Sequence, residues 1–188
     1  MCAGITMWEP LRAAGVGPGS HVAIAGLGHL GVKLAAALGA EVTVLSRSAA
    51  KADDARDLGA TDLLLTTDEA QMKRAFGRFD LILDTIAAKH DFSPLLRLLT
   101  LGGTLSVLGA PLEAPVRIME LTFGRKNLTS SGTGGTRHTA ELLDFCATNG
   151  ITADLELLPS AQVASALDRL SKGDVRYRFV LDMSDLDQ

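Results

Sequence analysis

His21-Val22-Ala23-Ile24-Ala25-Gly26-Leu27-Gly28-His29-Leu30-Gly31 is the stretch that decides the fold. After His21 it is apolar up to Gly26, as in a strand covered on both faces, and it then runs into Gly-x-Gly-x-x-Gly. Leu30, Leu34 and Leu38 follow at helical spacing, and Gly39 stands where a helix ends. Strand, glycine turn and helix in that order resemble the opening unit of a dinucleotide-binding sheet. Gly26 would permit the tight turn, Gly28 the approach of a pyrophosphate, and Gly31 the close packing of helix on strand. Phosphates would then meet the helix N-terminus, at Leu27, His29 and Leu30. Tight packing with no ligand gives the same hexapeptide, so the turn needs its context.

The context is a regular alternation. Strands are predicted at 41–45, 63–65, 79–84, 103–108 and 127–131, with helices at 49–58, 68–76, 91–99 and 139–148 between and after them. That pitch implies a doubly wound α/β domain, a parallel six-stranded Rossmann sheet in the order 3-2-1-4-5-6. Two segments stand outside the series: a helix over 3–15, and a C-terminal stretch with a short strand at 155–157, a helix near 161–170 and a strand at 177–181. The division expected is residues 1–154 for the nucleotide-type domain and 155–188 for a separate C-terminal segment.

The 188 residues are 47% hydrophobic and 21% charged, enough to build a core and too apolar for a disordered chain. Only 4% are aromatic, so that core is aliphatic. The net charge of −4 without a basic block argues against a nucleic-acid backbone binder. There is neither a basic-then-apolar leader nor an apolar run of the roughly 18 residues a bilayer requires. The expected location is the cytoplasm, with no membrane partner. Cys2 and Cys146 have no CxxC spacing, and Cys146 is read as an inert core thiol.

Ligand preference is read at the end of the second strand. A site for NAD places Asp or Glu there to hold the ribose hydroxyls. This chain has Ser46-Arg47-Ser48, with Lys51 one turn later. Two hydroxyls and two cations suit a 2′-phosphate, and cations at a helix start are unfavourable unless an anion is present. The reading is NADP(H). The loops at Asp84-Thr85-Ile86, 108–111 and 131–135 open on the same cleft, adding Thr85, Gly109 and Gly132 as candidate contacts. His21, His29, His90 and His138 show no ligand spacing and are expected at the surface or as caps, while Asp84 could orient its loop. The short-chain reductase pair Tyr-x-x-x-Lys is absent, since Leu181 stands four residues after Tyr177.

Several stretches together resemble one known family: 2–6, the Gly26–Gly31 turn, Ser46-Arg47-Ser48 with Lys51, Gly102-Gly103-Thr104, and 173–180. They look like the zinc-dependent medium-chain alcohol dehydrogenases, in particular the cinnamyl alcohol dehydrogenase branch. The resemblance implies hydride transfer between NADP(H) and a primary alcohol or aldehyde, with further cofactor contacts from Thr6 and Arg178. It also implies that Cys2 is one ligand of a catalytic zinc. In the family a preceding β-rich domain supplies the other ligands, and a catalytic site takes three from the protein. The chain therefore resembles the cofactor half alone, inactive by itself. A free-standing NADP(H)-binding module without catalysis is the alternative. Strand 127–131 would be a sheet edge with no Pro or charge within it, so a homodimer through that edge is expected, as the resemblance also implies.

Overall fold

A computed structural model describes residues 2–26, 28–172 and 174–184. It divides into two compact units, Met1–Ile151 and Thr152–Gln188. The first unit opens with α1, Cys2–Ala13, which buries Ile5, Met7, Trp8 and Leu11 and ends before Gly15, two residues earlier than expected. Then come β1, His21–Ala25; α2, His29–Ala37; and β2, Glu41–Ser46. A 3-10 turn at Ala49–Lys51 leads into α3, Ala52–Asp57, where one continuous helix is expected. The series continues with β3, Asp62–Leu65; α4, Glu69–Arg74; β4, Phe79–Asp84; and α5, Ser93–Leu98. It closes with β5, Leu99–Val107; α6, Ile118–Thr122; β6, Asn127–Ser130; and α7, Thr136–Asn149.

All strand pairs of the large sheet are parallel, in the order β3-β2-β1-β4-β5-β6, as the alternation predicts. Val22 to Ala25 are at most 1% exposed because helices cover both faces. One face packs Ala23, Leu45, Ile82 and Leu105 against Leu95, Leu96 and Leu98 of α5. On the other, Ile24 lies beneath Gly28 and Gly31, with Met7 of α1 above them. α1 also rests on α7, where the rings of Trp8 and Phe145 are 4.9 Å apart.

Two departures from expectation have local causes. β5 begins at Leu99 rather than 103, because the register shifts past Gly102-Gly103, with Gly102 at φ +77°, and the strand resumes instead of starting there. α5 begins at Ser93 rather than 91, because the Asp91 carboxylate accepts the Ser93 amide at 2.9 Å and its hydroxyl at 2.6 Å. α6 has only five residues and no apolar period, which left it unseen in the sequence. β6 is exposed along its whole length at the edge of the sheet.

The second unit contains β7, Glu156–Pro159; a 3-10 turn, Ser160–Gln162; α8, Val163–Ser171; and β8, Phe179–Asp182, which pairs parallel to β7. Arg169 fastens it, bonding Glu156 at 2.8 Å and Asp174 at 3.0 Å while its guanidinium lies 4.7 Å from the Phe179 ring centre. Among the described residues no helix is long and apolar enough to cross a membrane.

Candidate functional site

β1 and β4 are neighbours although α2, β2, α3, β3 and α4 lie between them in the chain, so a crevice opens beyond their C-terminal ends, where the strand order reverses. Gly26 leaves β1 at φ +79°, and a Cβ there would lie 2.6 Å from Thr85 Oγ1. Thr85 sits that close because its amide and hydroxyl both donate to the Ala25 carbonyl, at 3.0 and 2.8 Å. Gly28 is needed for a second reason. A Cβ there would meet Met7 Cε and Thr85 Cγ2, each at 2.9 Å. At Gly31 the neighbour is Met7 Sδ at 3.0 Å. No side chain caps α2, so its N-terminus faces the crevice with only Gly28 at the cap. Leu30 is half-buried, and Leu27 lies outside the described residues. His29, expected at the surface or as a cap, is buried at 6% exposure because it occupies the inner face of α2.

The turn after β2 is built differently. Ser46 is buried, its hydroxyl donating to the Ser48 carbonyl at 3.0 Å and accepting the Ser48 amide at 3.1 Å. Ser48 in turn accepts the Ala50 amide. The two hydroxyls thus shape the turn, and Ser48 remains exposed beside it. Arg47 and Lys51 are exposed, and among the described residues neither has an acidic partner.

The loops after β4, β5 and β6 complete the rim. Asp84 is fully buried at the end of β4, its Oδ1 accepting the Ile86 amide at 3.1 Å and its Oδ2 lying 3.0 Å from His90 Nε2. Burial pushes the Asp84 carboxyl above its usual range, and the Ile86 amide and His90 pull it back. Gly109 donates its amide to the Asp84 carbonyl, and a Cβ there would fall 2.3 Å from the Ile86 carbonyl carbon and oxygen. The Gly132 carbonyl accepts the Thr6 hydroxyl at 3.3 Å, so those two candidates meet. An open cleft of about 670 Å³ lies along β5 and β6, bordered by Phe92, Val107, Ala110, Leu112, Leu128 and Gly132. Arg178 belongs to the second unit, its Nε buried without a hydrogen-bond partner.

Cys2 is exposed in the first turn of α1, with Thr6 Oγ1 3.8 Å from its sulfur. Among the described residues no three His, Cys, Asp or Glu side chains converge to hold a metal ion. These residues therefore do not fit a complete catalytic zinc site, which takes three protein ligands. Cys146 is half-buried rather than in the core, on the flank of α7, and burial raises its thiol pKa, away from the reactive thiolate. Sequence reasoning missed three contacts. Met7 packs on the glycine turn, His138 Nδ1 meets Glu9 at 2.8 Å, and His90 reaches Asp84. Each joins residues on different elements or across a loop, and no spacing rule reports such pairs.

Residues 26–148 match the zinc-binding dehydrogenase family. Alcohol dehydrogenase 9 of Catharanthus roseus is 48% identical over 190 residues, which cover 98% of this chain and 53% of that protein. Among solved structures, a cinnamyl alcohol dehydrogenase of Sorghum bicolor superposes with a TM-score of 0.93 at 41% identity, covering 96% of this chain and 53% of that one. The CAD of Helicobacter pylori, complexed with NADP(H), gives 0.86 at 32% identity, covering 97% and 53%. The chain spans about half the length of the curated relatives it matches. It belongs to the zinc-binding dehydrogenase family, on the cinnamyl alcohol dehydrogenase side, and corresponds to the cofactor-binding half of those proteins.

Proposed function

We propose that this chain holds NADP(H) for an alcohol or aldehyde oxidoreductase. The observation that carries the reading is the turn after β2: Arg47 and Lys51 are exposed without acidic partners, and Ser46-Arg47-Ser48 offers no carboxylate to repel a phosphate. A guanidinium and an ammonium unused by the fold suit a 2′-phosphate, which would accept charge-assisted bonds from both. The pyrophosphate would lie against the uncapped N-terminus of α2. Thr85, Gly109, Thr6 and Gly132 would border the rest of the nucleotide. When bound, the nicotinamide supplies the hydride exchanged with a primary alcohol or aldehyde. These residues would bind and orient the nucleotide, and Cys2 would contribute one ligand to a zinc site whose other ligands lie elsewhere. That the relative from Helicobacter pylori was solved with NADP(H) supports the choice of nucleotide. Fluorescence titration with NADPH and NADH tests it. NADPH is expected to bind at least tenfold tighter, and equal or tighter binding of NADH overturns the reading.

A second reading, a binding module without catalysis, is favoured by one observation, the absence among the described residues of a three-ligand metal cluster around Cys2. Metal analysis with an aldehyde-reduction assay on the chain separates the two. One zinc per chain, with turnover abolished by Cys2→Ala, excludes the module.

The proposed setting is a cytoplasmic homodimer joined at β6. All four residues of that edge are exposed, and Leu112, Ile118, Met119 and Phe123 add exposed apolar surface on the segment before it. Light scattering at micromolar concentration should give twice the chain mass, and a monomeric mass contradicts the dimer.

A further inference from the structure

The turns after β4 and β5 meet at Asp84, at its side chain and its carbonyl. The carbonyl accepts the Leu108 amide at 2.8 Å and the Gly109 amide at 3.0 Å, tying the turn after β5 to the end of β4. The carboxylate holds the Ile86 amide. Ile86 is the residue whose carbonyl leaves no room for a side chain at Gly109, and Thr85 leaves none at Gly26 or Gly28. The loop that follows β4 therefore sets the shape of the crevice on both sides.

That loop is closed by His90. Its Nε2 stands 3.0 Å from Asp84 Oδ2, and its Nδ1 is 2.9 Å from the Ala88 carbonyl, so one ring spans the start and the middle of the loop. The ring packs edge-on to Phe92, with centres 5.1 Å apart, and Phe92 is anchored through its amide to the Pro115 carbonyl. Nε2 faces Oδ2 at ion-pair distance without meeting hydrogen-bond geometry, and it is the side-chain nitrogen nearest that oxygen. Oδ2 is otherwise a fully buried carboxylate oxygen without a donor, a costly arrangement unless a positive group faces it. The neighbouring ionisable residues are engaged elsewhere: Lys89 with Glu113, and Asp91 with Ser93. Arg117 acts on Asp91.

We infer that His90 is a positioning residue. Through Asp84 and the Ala88 carbonyl it fixes the 85–89 loop in the one shape that keeps Thr85 against Gly26 and Gly28 and Ile86 against Gly109. It thereby sets the width of the crevice in which the dinucleotide lies. The inference rests on the nucleotide reading above for its consequence, and on the apo chain for its cause.

Two measurements on the whole chain test it. Amide hydrogen exchange without ligand reads the cause: in His90→Ala the Ile86 and Gly109 amides should exchange at least tenfold faster, with the β1 amides unchanged. NADPH titration reads the consequence. The dissociation constant should rise about tenfold. His90→Gln, whose amide can still donate toward Asp84 Oδ2, should fall between the parent and His90→Ala, and it serves as the variant if alanine prevents folding. Unchanged exchange at Ile86 and Gly109 overturns the inference. So does faster exchange with an unchanged NADPH affinity, which would leave His90 a purely structural residue. If the unmodified chain binds no dinucleotide, the nucleotide reading fails by itself, and the exchange measurement still decides whether His90 holds the loop.

Discussion

The turn after β1 and the turn after β2 sit on adjacent strands of one sheet, and they are occupied in opposite ways. In the first, every described glycine is accounted for by the protein itself: Thr85 fills the space at Gly26, Met7 and Thr85 that at Gly28, and Met7 that at Gly31. In the second, the hydroxyls close the turn while Arg47 and Lys51 have no acidic partner among the described residues. Fold requirement and ligand preference have therefore separated. A glycine whose Cβ would strike another side chain is required with or without a nucleotide. A pair of exposed cations at the start of a helical turn contributes nothing to the fold, and is unfavourable there until an anion arrives.

The sharpest way to break this contrast is to give the first turn a side chain. Gly28→Val would place branched carbon where Met7 Cε and Thr85 Cγ2 already stand 2.9 Å from a bare Cβ. Thr85 is held by two bonds to Ala25 and cannot withdraw. Overpacking of this kind costs about 3 kcal/mol, read as a lower urea midpoint of the apo chain. Because Met7 is the flexible neighbour, Met7→Ala in the same chain should recover part of the loss. An unchanged midpoint for Gly28→Val would mean that the turn is looser than its contacts indicate.

The second turn should respond in the opposite sense. Arg47→Asp removes a charge-assisted contact to the proposed phosphate and adds a repulsion, so NADPH affinity should fall by about 2 kcal/mol, near thirtyfold. NADH should lose far less. The urea midpoint should stay within about 0.5 kcal/mol of the parent, as for a surface residue without partners. A stability loss comparable to that of Gly28→Val would erase the distinction between the two turns.

How legible each turn was follows from the range of the forces involved. Strand order, parallel pairing and the position of the crevice follow from local alternation and handed crossovers, so the sequence carried them. Asp68 illustrates a legible end: its carboxylate accepts the Ala70 and Gln71 amides and starts α4 one residue from where the pattern put it. Arg47 and Lys51 were readable because an exposed cation needs no tertiary partner to be recognised. The protein's own claim on Gly28 was hidden, since Met7 is 21 residues away on another helix. The short α6 was hidden because Ile118 and Met119 face outward and Leu121 alone packs on the core, and the early start of β5 because two glycines resemble a loop when the bulge they form is not seen.

The turn after β4 falls between these two cases, for its key contact is internal to the fold yet still reached by water. Asp84 is fully buried, whereas the His90 side chain is 21% exposed. Burial raises the folded-state pKa of Asp84, so the folded chain keeps that proton to a higher pH than the unfolded chain does. The stability linked to it is present in acid, below the unfolded value near 3.8, and is lost as pH rises through the raised folded value. His90 opposes the rise. His90→Ala therefore moves the Asp84 carboxyl further up and extends the loss toward neutrality. Expected is an unfolding free energy close to that of the parent at pH 4.5 and lower by about 1 kcal/mol at pH 7, the small end of the range for a buried acceptor left unpaired, because solvent already softens the contact. Urea titrations at a series of pH values check this. A deficit of the same size at every pH would mean that Asp84 and His90 meet as packing neighbours without charge coupling, and it would group this turn with the glycine turn after β1.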